Sequence, residues 1–175
     1  MSGVLTRQVT TFALLFMLGA AAGAETSEDV AAKLCRAWFG TEALCSAITL
    51  ASTNVVISEV TLNGSTAGWL FRTDQVPPVC KGKRGEIVAL VAVGADAHIK
   101  GLQVLSHKED ARYFKRLKSA FFEQFLGRCA ADLDAKLDAV THATLSSRAI
   151  IRDVMEGARQ VTALPEVAAK LHAGE

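Results

Sequence analysis

The residues best placed to do chemistry are the hydroxyls and the imidazole of Asp138-Ala-Val-Thr141-His142-Ala143-Thr144-Leu145-Ser146-Ser147, a run that leads straight into an amphipathic segment. From Arg148 to Val161 the apolar residues Ile150, Val154, Ala158 and Val161 recur at helical spacing, which predicts a long helix. A helix start presents N–H groups with no intrahelical partner and the positive end of the aligned peptide dipoles, and both favour a bound phosphate. Phosphate capture is therefore the chemistry on offer, with Thr141, Thr144, Ser146 and Ser147 supplying hydroxyls. The same residues have a plainer use, because Ser146 or Ser147 can serve as the N-cap of the helix.

The elements that must position this run are read from period and punctuation. Thr26-Ser-Glu-Asp29 matches a capping box ahead of Val30, Leu34 and Trp38, which predicts a short helix ended by Gly40. Thr41 to Ala51 fits neither period and is grouped with the N-terminal helical segment, residues 25–53. Asn54 to Leu62 reads as a strand, Asn63-Gly64 as a hairpin turn, and Ala67 to Thr73 as the next strand, with Trp69 and Phe71 on one face and Leu70 on the other. Pro77 to Gly85 is loop by its breakers, Glu86 to Val93 and His98 to Leu105 are further strands, and Gly101 marks a bulge or a close approach. The period then lengthens: Phe114, Leu117, Phe121 and Phe125 predict a helix from Ala111 to Leu126, closed by Gly127. Sequential strands with short turns, flanked by helices, predict a single α+β domain built on a twisted antiparallel meander. Its expected limits are residues 54–162, followed by a tail or short helix over 163–175.

Composition bounds the setting. The 175-residue chain opens with Arg7, an apolar run from Phe12 to Ala22 and the small residues Ala22-Gly23-Ala24, which is the grammar of a signal peptide over residues 1–24. Cleavage after Ala24 removes Arg7 from 19 basic residues, and the remaining 18 face 18 acidic ones. A chain without net positive field is a poor nucleic-acid binder, and the clusters Lys81, Lys83, Arg84 and Arg112, Lys115, Arg116, Lys118 read as a solvated face or a docking surface for an anionic partner. No later segment reaches the ~20 apolar residues that a bilayer span requires. Cys35, Cys45, Cys80 and Cys129 fall in the part expected to be exported, where disulfides form, and Cys35 with Cys45 is the preferred pair. Neither a metal-ligand spacing nor a dinucleotide or P-loop glycine motif occurs.

Asp138-Ala-Val-Thr141-His142-Ala143-Thr144 resembles the Asp-x-x-(Ser/Thr)-Gly-Ala-Thr flavinylation motif of the exported FMN-binding domain family. That family includes flavin-bearing subunits of the Rnf and sodium-translocating NADH:quinone reductase complexes and the outer domain of NosR-like proteins, to which the likeness is greatest. Gly68-Trp-Leu-Phe-Arg-Thr73, the apolar strand Ile87 to Val93 and Ile99 to Glu109 are similar to the family's aromatic strand, hairpin and His-x-Glu segment, so the resemblance spans roughly Asn54 to Val161. Two positions depart from the pattern: His142 stands where relatives carry Gly, and Glu109-Asp-Ala-Arg112 where many carry Glu-Thr-Pro-Gly.

The resemblance implies an FMN-binding-domain-like fold and FMN as cofactor, its phosphate esterified to Thr144 by a flavin transferase. Thr141, Ala143 and Ser147 are implied to shape the phosphate pocket, with His142, Leu145 and Ser146 beside them as cofactor-binding residues; Trp69 is read either as core or as stacking on the ring system, and His107 and Glu109 either as hydrogen-bonding near it or as fixing the strand-to-helix corner. The implied function is periplasmic electron transfer between a membrane quinone- or haem-bearing redox protein and an extracytoplasmic acceptor, a carrier or accessory module more than a stand-alone enzyme. His142 motivates the alternative, a noncovalent flavin or haem sensor that assists assembly or regulation of a respiratory complex.

Overall fold

Asn63 and Gly64 both take positive φ, 52° and 80°, and so form the two-residue turn whose twist matches a β-hairpin. On either side lie β2 (Val56–Leu62) and β3 (Ser65–Arg72). In the computed structural model, which describes residues 27–132 and 136–171, these strands are the centre of a five-stranded antiparallel meander. The sheet runs in chain order from β1 (Leu44–Thr49) through β2 and β3 to β4 (Ile87–Gly94) and β5 (Ile99–His107). The domain is α+β, a twisted antiparallel sheet packed by helices. The expected leader, residues 1–24, the capping residue Thr26 and the final four residues lie outside the described residues.

Both faces of the sheet are covered. Leu70, Leu90 and Ala92 pack with Val60 beneath α1 (Ser27–Phe39), which contributes Leu34, Cys35, Trp38 and Phe39. On the other face Trp69, Phe71, Val91 and Val93 join Phe121 and Phe125, and also Ile150, Val154, Ala158 and Val161 of α4 (Thr144–Ala163). The Trp69/Phe71 versus Leu70 alternation of β3 thus separates two apolar layers. Gly101 serves both purposes read for it: the β4–β5 register shifts beside it, and the Trp38 ring lies so close that a Cβ there would fall 2.2 Å from it. Gly40 ends α1 at φ 109°, donating to the Arg36 carbonyl.

Two expectations change, and a third is made specific. The segment 25–53 is not helical throughout, because Thr41–Ala51 contains β1, an edge strand paired to β2 from Leu44↔Thr61 to Thr49↔Val56. The helix expected from Ala111 to Leu126 is two short helices, α2 (Ala111–Phe114) and α3 (Ser119–Glu123), with Lys118 extended between them at ψ 173°. Arg112, Lys115, Arg116 and Lys118 place like charges at helical neighbour spacing, which opposes one continuous helix. The break lets Leu117, Phe121 and Phe125 enter the core while Phe114 turns to stack on His107 with ring centroids 3.6 Å apart. The tail is in part helical: α5 (Pro165–Leu171) is tied to the sheet side by Glu166, which accepts from the Ser52 hydroxyl at 3.0 Å, and by the Lys170–Glu59 ion pair.

The disulfide expectation is overturned, since all four cysteines are free thiols. Cys35 is buried, and its thiol is pushed up to about 11 by that burial and by the neighbouring Cys45 thiol, with which it shares a hydrogen bond and not a covalent bond. Cys80 has a different partner, the Asp153 carboxylate, and burial first and that contact second push its thiol up to about 11. Cys129 sits at a backbone bridge to His98.

Candidate functional site

The turn before α4 is built by its own hydroxyls. Ser147 is fully buried, and its Oγ accepts from the Val140 N–H at 3.1 Å while donating to the Ala143 carbonyl at 3.0 Å. That clamp draws residues 140–143 into a tight turn in which His142 takes the left-handed conformation, φ 66°. The helix begins four residues earlier than its apolar stripe predicts. Its N-cap is Ala143, so neither Ser146 nor Ser147 acts as the capping hydroxyl. The first helical bond runs from the Ser147 N–H to the Ala143 carbonyl at 2.9 Å, and the N–H groups of Thr144, Leu145 and Ser146 precede that ladder. Thr144 is the first helical residue. Its half-buried hydroxyl has only a long contact, 3.4 Å, to the Val140 carbonyl.

Facing this helix start is a tight loop that joins Cys80 to β4. Lys81 and Glu86 form a backbone bridge, and the Gly82 N–H donates to the Gly85 carbonyl at 2.8 Å. Inside the loop, Glu109 Oε1 accepts from the Arg84 N–H at 2.6 Å, and Oε2 accepts from the Lys83 N–H at 3.1 Å and from the Ser146 hydroxyl at 2.5 Å. Glu109, only 9% exposed, therefore joins the loop to the first turn of α4. Burial works to raise its pKa. The Ser146 hydroxyl and the N–H groups of Arg84, Lys83 and Gly85 outweigh that, and the carboxyl is held below its ordinary value. Gly82 is required by this approach, because a Cβ there would lie 2.9 Å from the Glu109 carboxyl carbon.

Between loop and helix opens a cleft of about 310 Å³. His142, Ala143, Thr144, Leu145, Ser146 and Glu109 line it, together with Lys83, Arg84, Asp110 and Tyr113. Of the residues singled out from sequence, Thr141 stays in the exposed turn and Ser147 is buried behind it. His107 faces a neighbouring groove, and Trp69 lies in the core at 1% exposure without reaching the cleft. Sequence reasoning read Lys83 and Arg84 as a solvated face or docking surface and not as part of this cleft, and it did not single out Tyr113. The bracketing of Lys83 and Arg84 by Gly82 and Gly85 was the available signal, but nothing local says which distant element such a loop faces.

The donor set fits a ligand with a phosphate at one end and an apolar ring system at the other. Helix-start N–H groups, two cationic side chains and the Thr144 hydroxyl suit the phosphate, while Leu145, 59% exposed, and the half-exposed Tyr113 offer apolar surface at the rim. Glu109 keeps its negative charge, which the N–H and hydroxyl donors on both of its oxygens partly offset. Among the described residues no helix is long and apolar enough to cross a membrane. No curated protein matches the chain. Residues 82–158 match the family model described as the FMN-binding domain, a span that opens in the basic loop, closes within α4 and takes in every residue of the cleft. The chain therefore contains an FMN-binding domain, with FMN as its cofactor.

Proposed function

We propose that this protein is an exported electron carrier whose FMN is held by a phosphoester to Thr144 and passes electrons between a membrane quinone- or haem-bearing protein and an extracytoplasmic acceptor. The observation that carries the proposal is the position of the Thr144 hydroxyl. It opens a 20-residue helix inside the cleft, opposite Lys83 and Arg84, with no strong hydrogen bond of its own. The likeness of residues 138–144 to the flavinylation motif supports it, as does the signal-peptide grammar of residues 1–24.

Bound FMN supplies the redox chemistry, one or two electrons taken up and passed on. The chain's part is to bind and orient. The N–H groups ahead of the helical ladder, Lys83 and Arg84 offset the phosphate charge. Glu109 fixes the spacing between those cations and Thr144. Formation of the ester joins Thr144 Oγ1 to phosphorus with net loss of water, so the protein gains the mass of FMN less one water. A flavin transferase is the partner this step requires. Intact mass of protein co-expressed with such a transferase should show that adduct, and Thr144→Ala should lose it. Flavin-free protein with an unshifted mass would end the reading.

A noncovalent version has its own support in His142, whose imidazole is exposed at the cleft where relatives carry glycine. In that version the phosphate is held by the same donors, and the module senses or assists and does not carry. Flavin that leaves on denaturation and desalting would select it; flavin that stays with the unfolded chain selects the ester.

A further inference from the structure

Beside the flavin cleft, and sharing Lys83 and Arg84 with it, lies a second and larger concavity of about 680 Å³ between the basic loop and the end of β5. Its charged lining is one-sided: Lys81, Lys83, Arg84 and Lys108 face a single acidic side chain, Glu86. Lys81, Lys83 and Lys108 form no ion pair among the described residues, and Arg84 reaches only Asp110, at 3.6 Å, from a largely exposed position. Glu86 and Asp110 offset part of this charge, and the remaining excess of cations held together is self-repelling, an arrangement that costs stability unless an anion answers it.

The display is rigid. The loop is pinned by the Lys81–Glu86 bridge and the Gly82–Gly85 hydrogen bond, and Glu109 takes the N–H groups of Lys83 and Arg84. With those backbone donors consumed, what the groove offers an anion is side-chain charge, a long-range field without the directed N–H cradle that recognises one small phosphate. The whole chain is nearly neutral, at +1, so this charge is a local asymmetry that orients an incoming partner. The shape is concave, which suits a protruding segment better than a flat lipid surface, and the aromatic ring in the groove lining, His107, is already stacked on Phe114 and offers no series of platforms for nucleic-acid bases.

We propose that this groove is the docking surface for an acidic, protruding polypeptide segment of the protein's redox partner, seated so that the partner abuts the flavin cleft across Lys83 and Arg84. The consequence for electron exchange rests on the flavin reading; the docking itself does not. The test uses flavin-loaded protein expressed from the full chain and a labelled poly(Asp-Glu) peptide, with a poly(Asn-Gln) peptide, phosphatidylglycerol vesicles and duplex DNA as competitors. Lys81 and Lys108 line the groove and not the cleft, so Lys81→Glu/Lys108→Glu reverses the groove's charge without substituting a cleft residue, and Lys81→Arg/Lys108→Arg preserves it.

The expected result is acidic-peptide binding that weakens as salt rises, falls roughly tenfold or more in the double Glu variant, and persists in the double Arg variant. Equal binding by the wild type and the Glu variant, absence of peptide binding, or tighter binding to vesicles or DNA than to the peptide would overturn the proposal. Flavin absorbance is read on the same samples. Flavin-free protein that binds the peptide would defeat the carrier function alone, whereas flavin-loaded protein that ignores the peptide would defeat the docking surface alone.

Discussion

The Ser146 hydroxyl donates to Glu109 Oε2 at 2.5 Å, and this contact links the first turn of α4 to a loop more than 60 positions earlier in the chain. Its partners on the other side are the Lys83 and Arg84 N–H groups, so one carboxylate sets the width of the cleft. Ser146→Ala removes one donor from a buried charge and should cost about 1–3 kcal/mol. Urea unfolding measures the loss, and Ser146→Thr, which keeps the hydroxyl, should recover part of it.

Two carboxyls should pull the pH dependence of stability in opposite directions. Glu109 has a folded pKa below its unfolded one, so its contribution is present above the ordinary carboxylate value and is lost as pH falls through the depressed value. Asp153, 2% exposed, is raised, chiefly by burial, although the Cys80 N–H and thiol and Arg152 work against the rise. Its contribution is therefore full below the ordinary carboxylate value and is lost as pH climbs from there through the raised one. Asp153→Asn, whose carbonyl can still accept from the Cys80 N–H, should be at least as stable as the wild type at neutral pH and less so relative to it in acid. Melting temperature followed from acid to neutral pH checks both signs, and a wild-type-like profile for Asp153→Asn would refute the second.

His142 holds φ 66°, where side chains with a Cβ are strained and β-branched ones most so. His142→Gly should leave stability unchanged or raise it by up to about 1 kcal/mol, and His142→Val should lower it by about 1–2 kcal/mol or more. Denaturant midpoints for the pair check the order. If valine is tolerated as well as glycine, the left-handed turn is not what the site imposes.

Gly101→Ala should drive a methyl into the Trp38 ring. Neither the β5 backbone nor a half-buried indole packed beneath the sheet can yield freely, so a loss of about 1–3 kcal/mol is expected. The Trp38→Leu variant should soften the effect, and a double-mutant cycle in urea reads that coupling.

The meander was legible because its signals are local. Val56, Ile57 and Val60 are β-branched, Asn63-Gly64 dictates its own turn, and Trp69, Leu70 and Phe71 announce two faces within three residues. β1 was not legible, because an exposed edge strand such as Leu44-Cys-Ser-Ala-Ile-Thr49 has no buried face to enforce alternation. The stripe of Phe114, Leu117, Phe121 and Phe125 carried a true message about burial and a false one about continuity, since the core can collect such residues from two short helices. Of the candidate cleft, the half made by residues 142–146 could be read as a hydroxyl-rich helix start. The place of Lys83 and Arg84 could not, since what brings them there is a carboxylate belonging to neither segment.

Glu109's grip on residues 82–85 and on Ser146 also sets a chronology. Every neighbour in the sheet is consecutive in sequence, so the strands can pair in the order in which the chain emerges, while the cleft has only one wall until α4 has emerged and docked. Any agent that recognises the closed cleft therefore discriminates finished chains from nascent ones, and a group fixed at Thr144 is a receipt stamped after folding.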